Sequence, residues 1–249
     1  MARLYLTGGI HMTGPSGSFG EADLPGNQGR IAFAALAIER RPLSHDELAE
    51  IVWDGRPPPR WKSALAAVVS RTRRLVTGIG LDGNRTVPSS GGAYALSVPA
   101  ETWVDVEDAM RRLDRAEGAL RHRDVVTATR EATVASGILR RPLLPGVDAL
   151  WLDGVRRRHD DALFRSSVTL AAAWNALGDF QLAATAASAA IGIDPLRETA
   201  HRLLMEAERG RGDRGAALRA YARCAATLST ELGVEPSPET QRLAESLRS

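Results

Sequence analysis

Along residues 60–77, apolar and polar positions recur with a helical period. At 100° per residue Leu65, Val68, Val69, Thr72 and Val76 share one face, Ser63, Ala67, Ser70 and Arg74 the opposite one, and Arg71 and Arg73 its flanks. The pattern predicts a helix that packs on one side and presents a small, basic surface on the other. Two helical segments precede it. RIAFAALAIER (30–40) reads as amphipathic; the next, near 45–54, has Leu48, Ile51 and Val52 as its apolar stripe and begins at Ser44, with Glu47 three residues on, the reciprocal capping-box arrangement. GRPPP then forms a stiff linker, because successive prolines fix φ and remove donors.

Short β-like runs flank these helices. RLYLTG and IHMTG predict two or three strands between Arg3 and Pro25, with a polar turn around GPSGS, and GLDGNRTVPSSGGAYALSV predicts two strands around Ser89–Gly92, a hairpin or wing. Gly14, Gly17 and Gly20 read as turn glycines rather than a phosphate loop, since no Gly-Lys-Ser/Thr follows.

After VPAETW the chain reads as helix throughout, near 105–120, 124–136, 148–177, 180–192, 196–210, 213–231 and 237–248. Asp105, Asp194-Pro195 and Ser237-Pro238 are start signals, and Gly178, Gly212 and Gly233 stops. Gly178-Asp179 and Gly212-Asp213 stand 34 residues apart, the tetratricopeptide period, with Ala183, Ala190 and Ala217 where paired helices approach closely. The predicted fold is therefore mostly α: a winged helix of short strands, three helices and a closing hairpin over residues 1–99, then an all-α tetratricopeptide-like domain over 104–249.

Composition narrows the function classes. No apolar run approaches the roughly 18 residues that span a bilayer, and MARLYLTGGIHM lacks a signal-peptide core, so the expectation is a cytoplasmic protein without a membrane partner. Cys224, the single cysteine, reads as a structural thiol, and the scattered histidines have no metal-ligand spacing. His159, Asp160 and Asp161 are consecutive and point apart, so no nucleophile, base or metal constellation supports an enzyme, and no cofactor is implied. The net charge of +2 is unevenly placed: residues 1–103 carry 11 basic and 9 acidic side chains, and residues 104–249 carry 21 of each. Arg56, Arg60, Lys62, Arg71, Arg73, Arg74 and Arg85 face only Asp82 within residues 56–85, a balance of +6. Such a patch attracts phosphates in a salt-sensitive manner. With the basic helix third in a winged helix, the expected partner is double-stranded DNA: the helix enters the major groove, Ser63, Ala67 and Ser70 permit close approach, and the arginines reach phosphates or guanine edges. Arg85 and the hairpin tip are expected at the backbone or adjacent minor groove. Arg156–Arg158 read as a solvated face, Trp53 as a packing aromatic, and Trp61 as either packing or contact.

GNQGRIAFAALAIERRPLSHDELAEIVWDGRPPPRWKSALAAVVSRTRRLV resembles the DNA-binding domain of the Streptomyces antibiotic regulatory protein family, and ETAHRLLMEAERGRGDRGAALRAYARCAATLSTELGVEPSPETQRL the end of its bacterial transcriptional activation domain. The most specific pieces are Leu48, Trp53, Pro58 and Pro59, the string Val69 to Arg74, and ELGVEPSPE. The resemblance implies an activator, bound as a homodimer to promoter direct repeats, that recruits RNA polymerase holoenzyme and controls a secondary-metabolite gene cluster. It assigns Ser70, Arg71, Arg73 and Arg74 to the recognition string, Gly92 and Tyr94 to the wing, and dimerisation and polymerase contact to the helical domain; at the proline loop, Arg56, Pro58 and Trp61 are further candidates for polymerase contact. Where the family carries an amide, a glutamine and a tyrosine, this chain has Ser63, Ala66 and Val68, so a different site or weaker discrimination is expected; a protein-interaction scaffold is the alternative.

Overall fold

The structure, a computed structural model, describes residues 1–248. Strands β1 (Arg3–Tyr5), β2 (His11–Gly14) and β3 (Gly17–Gly20) form an antiparallel meander, and β7 (Trp103–Val104) adds in parallel beside β1, in the order β3-β2-β1-β7. The register places Phe19, Met12, Leu4 and Val104 in one row across all four strands, and every one is buried. Alternation with period two thus puts one apolar residue per strand on the core face. Gly14 fills a place no side chain can occupy, since a Cβ there would lie 2.4 Å from the carbonyl oxygen of Ile79.

Helix α1 (Gly26–Glu39) lies under that row, with Phe33 edge-on to Phe19 at 5.7 Å. Residues Ile31 to Ala37 are all buried, which corrects the amphipathic reading: the middle of α1 is enclosed on every side. Helix α2 (His45–Val52) begins at Ser44, whose Oγ accepts from the Glu47 amide at 3.1 Å. The reciprocal half of the capping box is not made, because the Glu47 carboxylate turns to Arg41, which donates at 3.1 Å. Helix α3 (Trp61–Gly78) buries Leu65, Val68, Val69, Thr72 and Val76, the face expected from periodicity. Each fully buried aliphatic side chain contributes about 1.5–3 kcal/mol. A single helical turn, α4 (Gly83–Thr86), follows, with Asp82 accepting from the amides of Asn84 and Arg85; the sequence had suggested only a hairpin here. Strands β5 (Ser89–Ser90) and β6 (Ala93–Tyr94) form a hairpin that turns through Gly91 and Gly92, both at positive φ, and β6 pairs with β4 (Leu43–Ser44).

Helices α5 (Asp105–Arg121), α6 (Val125–Leu139), α7 (Leu150–Leu177), α8 (Phe180–Ile193), α9 (Glu198–Gly210), α10 (Arg214–Leu232) and α11 (Pro238–Arg248) complete the chain. None of the described helices is long and apolar enough to cross a membrane. Packing divides the chain into two compact units, residues 1–108 with 141–159, and 109–140 with 160–249. The sequence division near residues 99–104 misses the return of 141–159 to the first unit. That segment is held there by main-chain bonds, Gly8 to Pro142 at 2.8 Å and Leu144 to Leu6 at 2.9 Å, and by Leu143, Leu144, Val147, Leu152 and Val155 in the core. Arg156, read as part of a solvated run, donates Nη2 at 2.8 Å to the carbonyls of Leu144 and Val147. Asp105, fully buried, accepts from the amides of Leu6 and Thr7 and from the Thr7 hydroxyl, fixing the start of α5 to the end of β1.

In the second unit the corners ahead of α8 and α10 share one construction. Gly178 and Gly212 adopt left-handed φ, and the following Asp179 and Asp213 cap α8 and α10 by accepting from Leu182 and Ala216 amides. Arg123 and Asp124 repeat the corner ahead of α6, with arginine at φ 61° in place of glycine. Gly210 permits α9 to pass Phe180, whose ring would lie 2.4 Å from a Cβ. Small side chains thus set the helix spacing of the array.

Candidate nucleic-acid interface

The exposed face of α3 carries Lys62, Ser63, Ala66, Ala67, Ser70, Arg71 and Arg74. Its centre is small because Ser63, Ala67 and Ser70 occupy it, and Ser63 turns its hydroxyl onto the Arg60 carbonyl at 2.9 Å. Val68 is buried, so its departure from the family pattern changes packing rather than surface chemistry, while Ser63 and Ala66 are exposed. Among the described residues, Arg56, Arg60, Lys62, Arg71, Arg74 and Arg85 are all exposed and none makes an ion pair. Six uncompensated cations on one stretch of chain create a positive field that a polyanion would neutralise.

Arg73 and Tyr94, also expected at DNA, have contacts within the fold. Arg73 donates Nε to the Val87 carbonyl at 2.8 Å, and its guanidinium lies 6.0 Å from the Tyr94 ring centroid. Tyr94 is buried and stacks on His45 with centroids 4.4 Å apart. The His45 amide in turn donates to the Gly92 carbonyl at 2.9 Å. These contacts clamp the hairpin to α2 and α3 and so position the wing. Arg85 projects from the α4 turn, beside the hairpin rather than on it.

The α2–α3 connection turns at Asp54 and Gly55, both at positive φ, and leaves Arg56 to Arg60 exposed. Trp53 and Trp61 are half-buried against the core, and the Lys62 ammonium lies 5.4 Å from the Trp61 ring. A cleft of about 420 Å³ opens between this loop, the start of α1 and α3, with Gln28, Trp53, Pro58, Ala67 and Arg71 on its walls. At the start of α2, the Arg41 guanidinium holds the Glu47 carboxyl below its ordinary value through hydrogen bonding. The described residues contain no group of three or more His, Cys, Asp or Glu able to hold a metal ion.

A winged helix with a basic third helix, continued by paired helices with glycine-aspartate corners, defines a regulator of transcription. Residues 104–248 match the model of the bacterial transcriptional activator domain. The chain belongs to that family, as a regulator of the Streptomyces antibiotic regulatory protein type. It is 30% identical over 217 residues to regulatory protein AfsR of Streptomyces coelicolor, covering 87% of this chain and 21% of that one. Transcriptional regulatory protein EmbR of Mycobacterium tuberculosis is 27% identical over 225 residues, covering 87% of this chain and 56% of that protein. The chain thus spans about a fifth of AfsR and just over half of EmbR. The solved structure of Mycobacterium tuberculosis EmbR in complex with a low affinity phosphopeptide superposes with a TM-score of 0.90 at 24% identity, over 99% of this chain and 65% of that one, and establishes the fold.

Proposed function

We propose that the protein is a sequence-specific DNA-binding activator that inserts α3 into the major groove of promoter direct repeats. The observation that carries this reading is the band of six exposed, unpaired cations around the small-residue face of α3. Arg71 and Arg74 flank the groove-facing surface, Lys62 and Arg60 stand at its start, and Arg56 and Arg85 extend the positive field to either side. The DNA-binding unit is residues 1–99 with the packing contribution of 141–159, and the helical part from residue 104 onward supports dimerisation on the repeats. Exposed Arg56 and Pro58, with half-buried Trp61 beside them, make the α2–α3 loop the surface offered to RNA polymerase holoenzyme. Control of a secondary-metabolite gene cluster is what the resemblance to the Streptomyces antibiotic regulatory protein family implies.

One observation favours the alternative, a scaffold with no base readout. Ala66 brings no hydrogen-bonding group and the Ser63 hydroxyl is turned to its own helix, so the centre of α3 is poor in donors. Selection of bound fragments from genomic DNA, at low and at physiological salt, separates the two readings. Enrichment of a short direct repeat that survives physiological salt is expected; binding that disappears with salt and enriches nothing would leave the scaffold.

A further inference from the structure

Helices α8, α9 and α10 enclose a groove on the second unit. One stretch, about 580 Å³, has Leu204 at its base, Ser188 on α8, and Ala216 and Ala222 on α10. A second, about 350 Å³, shares Ser188, Leu204 and Arg223 and continues past Ile191 and His201 to Thr227. His201 is buried and donates Nε2 to the Pro195 carbonyl at 2.9 Å, while its Nδ1 has no partner.

The charges of this groove do not balance. Arg219 and Arg223 stand one turn apart on α10. Arg219 is 71% exposed and reaches Asp213 only at 3.8 Å. Arg223 makes no hydrogen bond or ion pair among the described residues. The one carboxylate on the lining, Glu208, is taken by Arg211 at 2.8 Å. Elsewhere in this unit Arg112 is paired with Glu131, Arg165 with Glu117 and Arg197 with Asp161.

We propose that this groove binds an acidic amphipathic helix of a partner protein, with carboxylates one turn apart meeting Arg219 and Arg223 and an apolar side chain seated on Leu204 and Ile191. Charge complementarity selects the acidic partner. The apolar base selects a peptide over a nucleic-acid backbone, whose phosphates would satisfy the arginines and leave Leu204 unused. Small residues along the walls (Ser188, Ala216, Ala222, Ala226) admit a helix, about 10 Å across, without long side chains in its path. From Ala216 to Thr227 the lining runs about 16 Å along α10, room for roughly three helical turns. The inference does not rest on DNA binding by α3.

The test is selection from a displayed library of random peptides of about 14 residues, using the full chain as bait. Expected are sequences pairing Asp or Glu three or four positions apart beside an apolar residue. Their affinity, read by fluorescence anisotropy, falls about tenfold or more in the R219E/R223E double variant and returns when the peptide carboxylates become lysines. Ser188→Trp, an exposed position, blocks the groove without altering charge and lowers binding similarly; circular dichroism checks that both variants fold. The proposal is overturned if no acidic pattern is enriched, if the charge-reversed variant binds the same peptides equally, or if it loses affinity for DNA instead.

Discussion

The Nε of Arg73 donates to the main-chain carbonyl of Val87 across 2.8 Å, so one arginine of α3 is spent on the chain entering the wing. Its neighbour Arg74 is exposed and unpaired. Consecutive arginines therefore divide into one that holds the hairpin and one that is free for phosphate or base.

Arg74→Ala and Arg73→Ala are expected to fail differently. Losing Arg74 leaves stability intact and lowers the slope of log K against log salt by about 0.9 if it meets phosphate, or relaxes one base position if it meets a base. Losing Arg73 costs about 1–2 kcal/mol of stability by leaving the Val87 carbonyl without its donor. Thermal unfolding and DNA titration of the two variants side by side check the division; equal stability with a larger loss of salt slope in Arg73→Ala would reverse it.

Removing the Tyr94 ring should destabilise the first unit. Tyr94→Ala deletes the stack on His45 and is expected to cost about 3 kcal/mol, whereas Tyr94→Phe keeps the ring and costs under about 1 kcal/mol. Urea unfolding followed by tryptophan fluorescence gives both values. If Tyr94→Phe weakened DNA binding at unchanged stability, the hydroxyl would return to the contact surface.

Glu198 makes the stability of the second unit pH-dependent. Burial pushes its carboxyl up, but hydrogen bonds from Thr240 and Ser237 and the nearby Arg202 outweigh this and hold it below its ordinary value. A carboxyl lowered on folding stabilises above its unfolded pKa, and that contribution is lost as pH falls through the lowered value. Glu198→Gln is expected to be less stable at pH 7 and to lose less on acidification below about pH 5. Unfolding midpoints measured from pH 7 to pH 3 read the difference; parallel curves for the two proteins would refute it.

Cys224 should resist thiol reagents until the protein unfolds. Burial pushes the thiol up to about 11, and the side chain is enclosed in the helical core. At pH 8 that leaves about a hundredfold less thiolate than an ordinary cysteine has. Alkylation by iodoacetamide, with and without guanidinium, is expected to be slow in the fold and rapid out of it; comparable rates would contradict the burial.

Local chemistry was legible in the sequence wherever one residue governs one event. Gly178-Asp179 and Gly212-Asp213 announced their corners, and the seven helices after residue 104 begin and end close to where capping and stop residues placed them. The corner between 120 and 124 was placed without a glycine signal, because Arg123 adopts the left-handed turn that glycine usually marks. The exposed face of α3 followed from helical period alone. The roles of Arg73 and Tyr94 did not, because flank position on a helix carries no information about a hairpin that packs beside it. The capping box failed for a similar reason: Arg41, outside the motif, competes for Glu47 more strongly than the Ser44 amide does.

The return of residues 141–159 to the first unit has a consequence for how the molecule is made. On the ribosome, α1, α2, α3 and the wing emerge with the surfaces that meet Leu143, Leu144, Val147 and Leu152 still bare. Helices α5 and α6 must be synthesised before that surface is closed. The part of the chain that carries the basic helix therefore matures only after residues 109–140 of the second unit and the returning segment have been made, which links the competence of that end to translation past residue 159.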